Sequence, residues 1–130
     1  MRFEVDTASA TPIYAQLIAQ AKHAIAAEVL RPGDMLPSLR ELAGQLRVNP
    51  LTVARAYREL EQLGLVQTEH GRGSFISTRA NDLGDAYRRE ALAQAVDRLL
   101  VEAYHLGASP ADIVALVEER SRAMQRTAGD

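Results

Sequence analysis

The sequence predicts a mainly α-helical chain with one small β-hairpin. Five segments carry apolar residues at helical spacing, several of them behind capping residues. One pair of short β-prone stretches flanks a glycine-rich turn. Hydrophobic residues make up 47% of the chain and aromatic residues only 5%, which is typical of a helical core built from Leu, Ala and Val. A chain of 130 residues can form one ordinary domain with a short appendage.

The first helix is expected to begin at Pro12, with Thr11 as its cap, and to end near Leu30. Proline suits the first helical position because the N–H that it lacks would have no partner there. The segment 31–34, Arg-Pro-Gly-Asp, then has the composition of a turn. The apolar face of this helix consists of Ile13, Leu17, Ala21 and Ile25.

Two further helices follow, with a very short connection between them. Ser38 and Glu41 have the spacing of a capping box, and the helix that they begin should end at Leu46. Asn49 is the expected cap of the next helix, and Gly64 ends it because glycine readily adopts the left-handed conformation. Two capped helices joined so closely are a candidate helix-turn-helix.

The β-prone stretches 65–68 and 74–77 follow directly. They flank a glycine-rich and basic sequence at 69–73, so a hairpin is the simplest interpretation. Behind a helix-turn-helix such a hairpin is a wing. The fold class predicted is therefore mainly α with a small β-hairpin, in the form of a winged helix-turn-helix.

A short two-helix tail is predicted after the wing. Residues 78–84 look like a linker, and a helical pattern runs from about Asp85 to Gly107. Ser109 and Pro110 have the character of a helix start and open the last helix. The predicted organisation is a winged helix-turn-helix domain over residues 1–78 and a helical tail over residues 79–130.

Positive charge is concentrated in the segment that holds these motifs. The chain has a net charge of -2. From Arg31 to Arg79 there are seven arginines against five acidic residues, whereas the remainder has eight basic and twelve acidic residues. This asymmetry favours nucleic acid as the partner of the segment.

Other classes of protein fit the sequence less well. The absence of cysteine excludes disulfides, thiolate metal sites and cysteine nucleophiles. His23, His70 and His105 do not have a metal-binding spacing, and no nucleophile elbow or P-loop occurs, so we expect neither an enzyme nor a cofactor. No apolar run approaches about 18 residues, and the N-terminus lacks a basic and then apolar signal, which predicts a cytoplasmic protein without membrane contact. A module that binds only other proteins remains the alternative, and salt-sensitive DNA binding would separate the two.

A helix-turn-helix places the first residues of its second helix against base edges in the major groove. Arg can bind guanine through two hydrogen bonds, Asn can bind adenine, and Thr can contact a base, a phosphate or a thymine methyl group. A single surface arginine on a helix more often solvates the surface than contacts DNA. The assignment of these residues to DNA contacts therefore depends on the whole motif. The candidate DNA contacts are Arg40 and Arg47, then Asn49, Leu51, Thr52 and Arg55, and in the wing His70, Gly71 and Arg72.

Four segments together resemble the N-terminal domain of GntR-type bacterial transcription regulators. They are 12–17 (PIYAQL), 30–43 (LRPGDMLPSLRELA), 48–57 (VNPLTVARAY) and 71–75 (GRGSF). The resemblance is continuous over roughly residues 11–77, and with the short tail it is similar to the YtrA-type subfamily. It implies a sequence-specific DNA-binding regulator in which Arg40, Asn49, Thr52, Arg55, His70 and Gly71 lie where relatives touch DNA.

Two residues depart from the pattern of the family. Leu51 stands where a polar residue is common, so this position either contacts a thymine methyl group or reads no base. Glu28 stands where a glycine commonly ends the first helix, which questions the local geometry there.

The resemblance also implies that the tail dimerises the protein, so that a homodimer binds a two-fold symmetric operator. Repression is the favoured activity, because a bare DNA-binding dimer can exclude polymerase without further contacts. Two alternatives remain open. The protein could bind an unidentified small-molecule effector, and the apolar tail residues could pack within one chain instead of at a dimer contact. The residues expected at the dimer contact are Leu92, Val96, Leu99, Leu100, Ile113, Leu116 and Val117.

Overall fold

The computed structural model describes residues 1–128. These residues form two compact units, the first spanning Met1–Arg89 and the second starting at Glu90. None of the described helices is long and apolar enough to cross a membrane. The predicted fold class is confirmed, and the elements in chain order are α1 (Ile13–Ala26), α2 (Leu39–Leu46), α3 (Pro50–Gln62), β1 (Val66–Glu69), β2 (Gly73–Ile76), α4 (Ala80–His105) and α5 (Pro110–Ala128).

The first unit packs three helices and the hairpin around one apolar core. Each helix contributes the residues that recur on one of its faces, as the sequence pattern predicts. Removing this apolar surface from water is the main stabilising contribution of the unit. The largest fully buried side chains are Leu17 and Ile25 of α1, Leu42 of α2, Val53 and Leu60 of α3, and Val66 and Ile76 of the hairpin.

Both ends of α1 differ from expectation. The helix begins at Ile13 and has no side-chain cap, so the cap expected from Thr11 is not formed. It ends at Ala26 rather than near Leu30, because Glu28 adopts a φ of 59° and reverses the backbone. Glu28 thus takes the left-handed conformation that glycine would adopt more easily.

The connection between α2 and α3 agrees with the sequence. The Ser38 hydroxyl accepts a hydrogen bond from the Glu41 N–H at 3.1 Å and caps α2. Arg47 ends this helix in the left-handed region, with φ of 56°. Asn49 then caps α3 by accepting from the Leu51 N–H at 2.9 Å. The two capped helices form the predicted helix-turn-helix.

The hairpin is a two-stranded sheet with one additional bridge that the sequence did not reveal. Its strands pair in antiparallel register, with Val66 opposite Ile76. The segment before α2 also joins β2, because Met35 forms a bridge with Phe75. The Ile76 N–H donates to the Asp34 carbonyl at 2.8 Å. These bonds attach the wing to the start of the helix-turn-helix.

α4 begins at Ala80, so the linker predicted over 78–84 is wrong. Ala80 is fully buried, and Gly84 lies against α1 so closely that a Cβ there would be 2.9 Å from Cγ2 of Ile25. The first turns of α4 therefore belong to the core of the first unit. That unit continues to Arg89, beyond the domain end expected at residue 78.

The second unit is a helical hairpin formed by the rest of α4 and by α5. Gly107 turns the chain with a φ of 72°. Ser109 and Asp112 form a reciprocal capping box, in which each backbone N–H donates to the other side chain, at 2.9 and 3.2 Å. These hydrogen bonds to Ser109 lower the pKa of Asp112.

Candidate nucleic-acid interface

One side of α3 is buried and the opposite side is exposed. Val53, Ala56, Tyr57 and Leu60 recur at helical spacing on the buried side. The opposite side carries Leu51, Arg55 and Arg58, which we call the α3 outer face. Arg58 was not selected from the sequence, although its position three residues after Arg55 places it on the same face.

A hydrogen bond across the motif joins α3 to the segment before α2. The Tyr57 hydroxyl donates to the Pro37 carbonyl, at the residue before the α2 cap, over 2.7 Å. Burial, and secondarily the charge of Glu41, raises the pKa of Tyr57 above its ordinary value. The phenol therefore remains a neutral donor to a higher pH than an exposed tyrosine does.

The first turn of α3 holds the next candidates. The side-chain oxygen of Asn49 accepts the capping hydrogen bond, and its NH₂ group can donate to DNA. Recognition of adenine through two hydrogen bonds would use both ends of the amide, with the oxygen accepting through its second lone pair. Leu51 is 74% exposed and Thr52 is half-buried.

The guanidinium group of Arg55 is held by two neighbours. Its central carbon lies 3.6 Å from the centre of the Tyr14 ring on α1. Its Nε lies 3.5 Å from Oε1 of Glu59, one turn further along α3. These two contacts orient the Arg55 guanidinium on the surface of the first unit.

Arg40 and Arg47 lie on the α2 side of the motif, and both are exposed. Neither forms a salt bridge within residues 1–128. Both charges are therefore available to an anionic partner.

The wing tip carries the last of the predicted DNA contacts. His70, Gly71 and Arg72 are all exposed, and Gly71 has a φ of 77°. Nη1 of Arg72 lies 2.8 Å from Oε2 of Glu69, so this arginine is paired within the hairpin.

The second unit leaves most of its large apolar side chains in water. Leu92 is 60% exposed and Leu100 40% exposed, and Ile113 is partly buried. A groove of about 480 Å³ between the last turns of α4 and α5 is lined mainly by apolar residues, Leu106 and Met124 among them. Contacts within one chain therefore leave six of the seven residues expected at a dimer contact exposed, and cover only Ile113 in part. No cluster of potential metal ligands occurs in the part of the chain that the structure describes.

Comparison with known proteins gives consistent matches. The family model described as "Bacterial regulatory proteins, gntR family" matches residues 13–76. The HTH-type transcriptional repressor YtrA of Bacillus subtilis (strain 168) is 38% identical over 104 residues, which cover 80% of this chain and 80% of that protein.

Two solved structures extend the similarity through the tail. A transcriptional regulator from Oenococcus oeni superposes with a TM-score of 0.75 at 31% identity, over 88% of this chain and 95% of the other. YtrA from Sulfolobus acidocaldarius, a GntR-family transcription factor, has a TM-score of 0.56 at 32% identity, over 95% of this chain and 99% of the other.

Proposed function

This chain belongs to the gntR family of bacterial regulatory proteins, and from that membership we propose that it is a repressor that binds a two-fold symmetric operator as a homodimer. The family and its winged helix-turn-helix agree with the sequence prediction, which is confirmed. The chain is a DNA-binding transcriptional regulator and not an enzyme. Repression is supported by the similar Bacillus subtilis protein, which is named a repressor. Because the proposed target is bacterial DNA, we place the protein in the cytoplasm.

The observation that carries this proposal is the α3 outer face. It is exposed along its length, it bears two arginines, and it lies on the second helix of the motif, which enters the major groove in proteins of this architecture. Arg40 and Arg55 are assigned to base edges. Arg47, Asn49 and Thr52 would fix the protein on the phosphates or adjacent bases.

Leu51 is assigned to a thymine methyl group. Leu51 is 74% exposed at the start of the recognition helix. Contact between an apolar side chain and water is unfavourable, so burying Leu51 against an apolar group would stabilise the complex. In the major groove the C5-methyl group of thymine is the one apolar feature of a base edge. This assignment gives a role to an apolar residue at a position where, from the resemblance to the family, a polar residue is common.

The wing is assigned to the DNA backbone or the minor groove. Its tip presents the Arg72 guanidinium and the side chain of His70, and Gly71 lets the backbone turn there without a side chain in the way. Contacts of this kind hold the protein in place but carry little sequence information.

The tail is assigned to the dimer contact. Exposed apolar side chains on both helices are costly in water, and a second copy of the same surface covers them symmetrically. The groove of about 480 Å³ has the size of a small-molecule site, but it shares Leu99, Leu116 and Val117 with the proposed contact. We therefore assign this groove to the dimer and not to an effector.

Light scattering on the full chain tests the dimer. V96E places a charge within the apolar surface, and Q94E makes the same change in charge on the opposite side of α4. We expect V96E to be monomeric at micromolar concentration and to bind operator DNA weakly, whereas Q94E stays dimeric. A dimeric V96E protein, or a wild-type monomer, would show that the tail does not mediate dimerisation.

A further inference from the structure

The Arg55 guanidinium is confined on its face and on one edge. The Tyr14 ring lies against the face of the group, with its centre 3.6 Å from the guanidinium carbon. Glu59 lies beside the Nε edge at 3.5 Å. Both neighbours come from the first unit, and they contact different sides of the guanidinium group.

The remaining edge is the one that can read a base. Nη1 and Nη2 make no hydrogen bond among the described residues, so their N–H groups stay available. Guanine presents two acceptors, O6 and N7, side by side in the major groove, and the two terminal nitrogens of an arginine match them. With Glu59 at the Nε edge, approach through Nη1 and Nη2 is the mode left open.

We propose that Tyr14 and Glu59 are positioning residues that hold Arg55 ready to bind a guanine end-on. The inference rests on the proposed function, because it requires that the α3 outer face enters the major groove. Its physical basis is preorganisation: an arginine that is already ordered loses less side-chain freedom when it binds. Tyr14 lies on α1, outside the helix-turn-helix, and thereby gives α1 a part in base selection.

Glu59 has a second effect that separates positioning from simple charge. A carboxylate near DNA repels phosphates, so its removal should strengthen binding to any duplex. If Glu59 also orients Arg55, its removal should weaken the preference for the cognate guanine at the same time. Opposite changes in affinity for scrambled DNA and in selectivity are the signature expected of E59Q.

The test measures selectivity as the ratio of affinities for the cognate duplex and for a duplex with the contacted guanine replaced. This guanine is first identified as the position at which R55A loses its preference. Y14L removes the aromatic face and keeps an apolar side chain, whereas Y14F keeps the face. We expect Y14L and E59Q each to lower the ratio by about two- to fivefold, in line with an exposed cation–π or ion pair, and Y14F to leave it unchanged.

The R55A background supplies the control. There, Y14L and E59Q should have no further effect on the ratio, since the side chain that they position is gone. Wild-type ratios in both single variants, or equal losses with and without Arg55, would overturn the inference. If R55A itself loses no preference at any guanine, the assignment of Arg55 in the proposed function is wrong instead.

Discussion

The side-chain oxygen of Asn49 accepts a hydrogen bond from the backbone N–H of Leu51 at 2.9 Å. One residue thus ends the turn of the motif, begins the recognition helix, and still has an NH₂ group to donate. Aspartate can provide the same cap, but it offers no donor and carries a negative charge. The two roles of Asn49 can therefore be separated.

We expect N49D to unfold with nearly the wild-type free energy, because Asp also caps well and its charge suits a helix N-terminus. N49A should lose about 1 kcal/mol with the cap. In DNA titrations N49D should bind cognate and scrambled duplexes at least about tenfold more weakly, since like charges oppose each other at the interface. Wild-type affinity in N49D would show that Asn49 does not face the DNA.

We expect R40A and R72A to weaken DNA binding in different ways. R40A is expected to lose about 1 to 3 kcal/mol on the cognate duplex and much less on scrambled DNA, because it removes a base contact. R72A should weaken both by similar factors and lower the salt slope by about one unit, because it removes a phosphate contact. Titrations at several salt concentrations measure both quantities, and an exchange of the two patterns would reverse the roles of helix and wing.

A substitution of Glu69, the salt-bridge partner of Arg72, complements R72A as a test of the wing. Because Glu69 holds Arg72 at 2.8 Å in the free protein, E69Q should release the arginine and reduce repulsion of phosphates. Affinity should rise on cognate and scrambled DNA alike. An unchanged affinity on both would mean that the wing tip stays clear of the duplex.

Substitution of two helical glycines by alanine should change the free energy of unfolding in opposite directions. G84A would place its Cβ 2.9 Å from Cγ2 of the buried Ile25, so we expect a loss of about 1 to 3 kcal/mol in unfolding free energy. G44A, in α2, meets nothing within 4 Å and should gain up to about 1 kcal/mol from helix propensity. Urea unfolding measures both, and a stabilised G84A would contradict the packing of α4 on α1.

The Tyr57 hydroxyl should make stability depend on alkaline pH. Since burial raises its pKa in the folded protein, only the unfolded chain ionises as the pH passes the ordinary value of about 10. The stabilising contribution is complete below that pH and declines above it, by at most about 1.4 kcal/mol per pH unit. Y57F should be about 1 kcal/mol less stable at neutral pH and should show a smaller alkaline decline. Parallel pH profiles for both proteins would contradict this.

The features that could be predicted from the sequence are those that depend on interactions between residues close together in the chain. The caps at Ser38 and Asn49 depend on residues two or three positions apart, so their patterns are legible in the sequence. Packing between distant segments determines two other features, the bridge from Met35 to Phe75 and the start of α4 at Ala80. No local sequence pattern predicts either of them.

The candidate site divides in the same way. Its residue types and their order along the chain could be predicted from the motif and the resemblance. The stacking of Arg55 on Tyr14 could not, because it needs the packing of α1 against α3. Glu28 shows the limit of residue preferences, since the surrounding structure imposes a φ of 59° on a residue that rarely adopts it.

Selection of bound duplexes from a random DNA library by the full chain tests the central claim most directly. A homodimer that reads DNA through the α3 outer face should enrich one sequence, an inverted repeat whose half-sites lie about one helical turn, or a multiple of it, apart. Recovery of a single unrepeated element would contradict the two-fold dimer. The absence of any enriched sequence, from protein that is folded and dimeric, would contradict sequence-specific recognition itself.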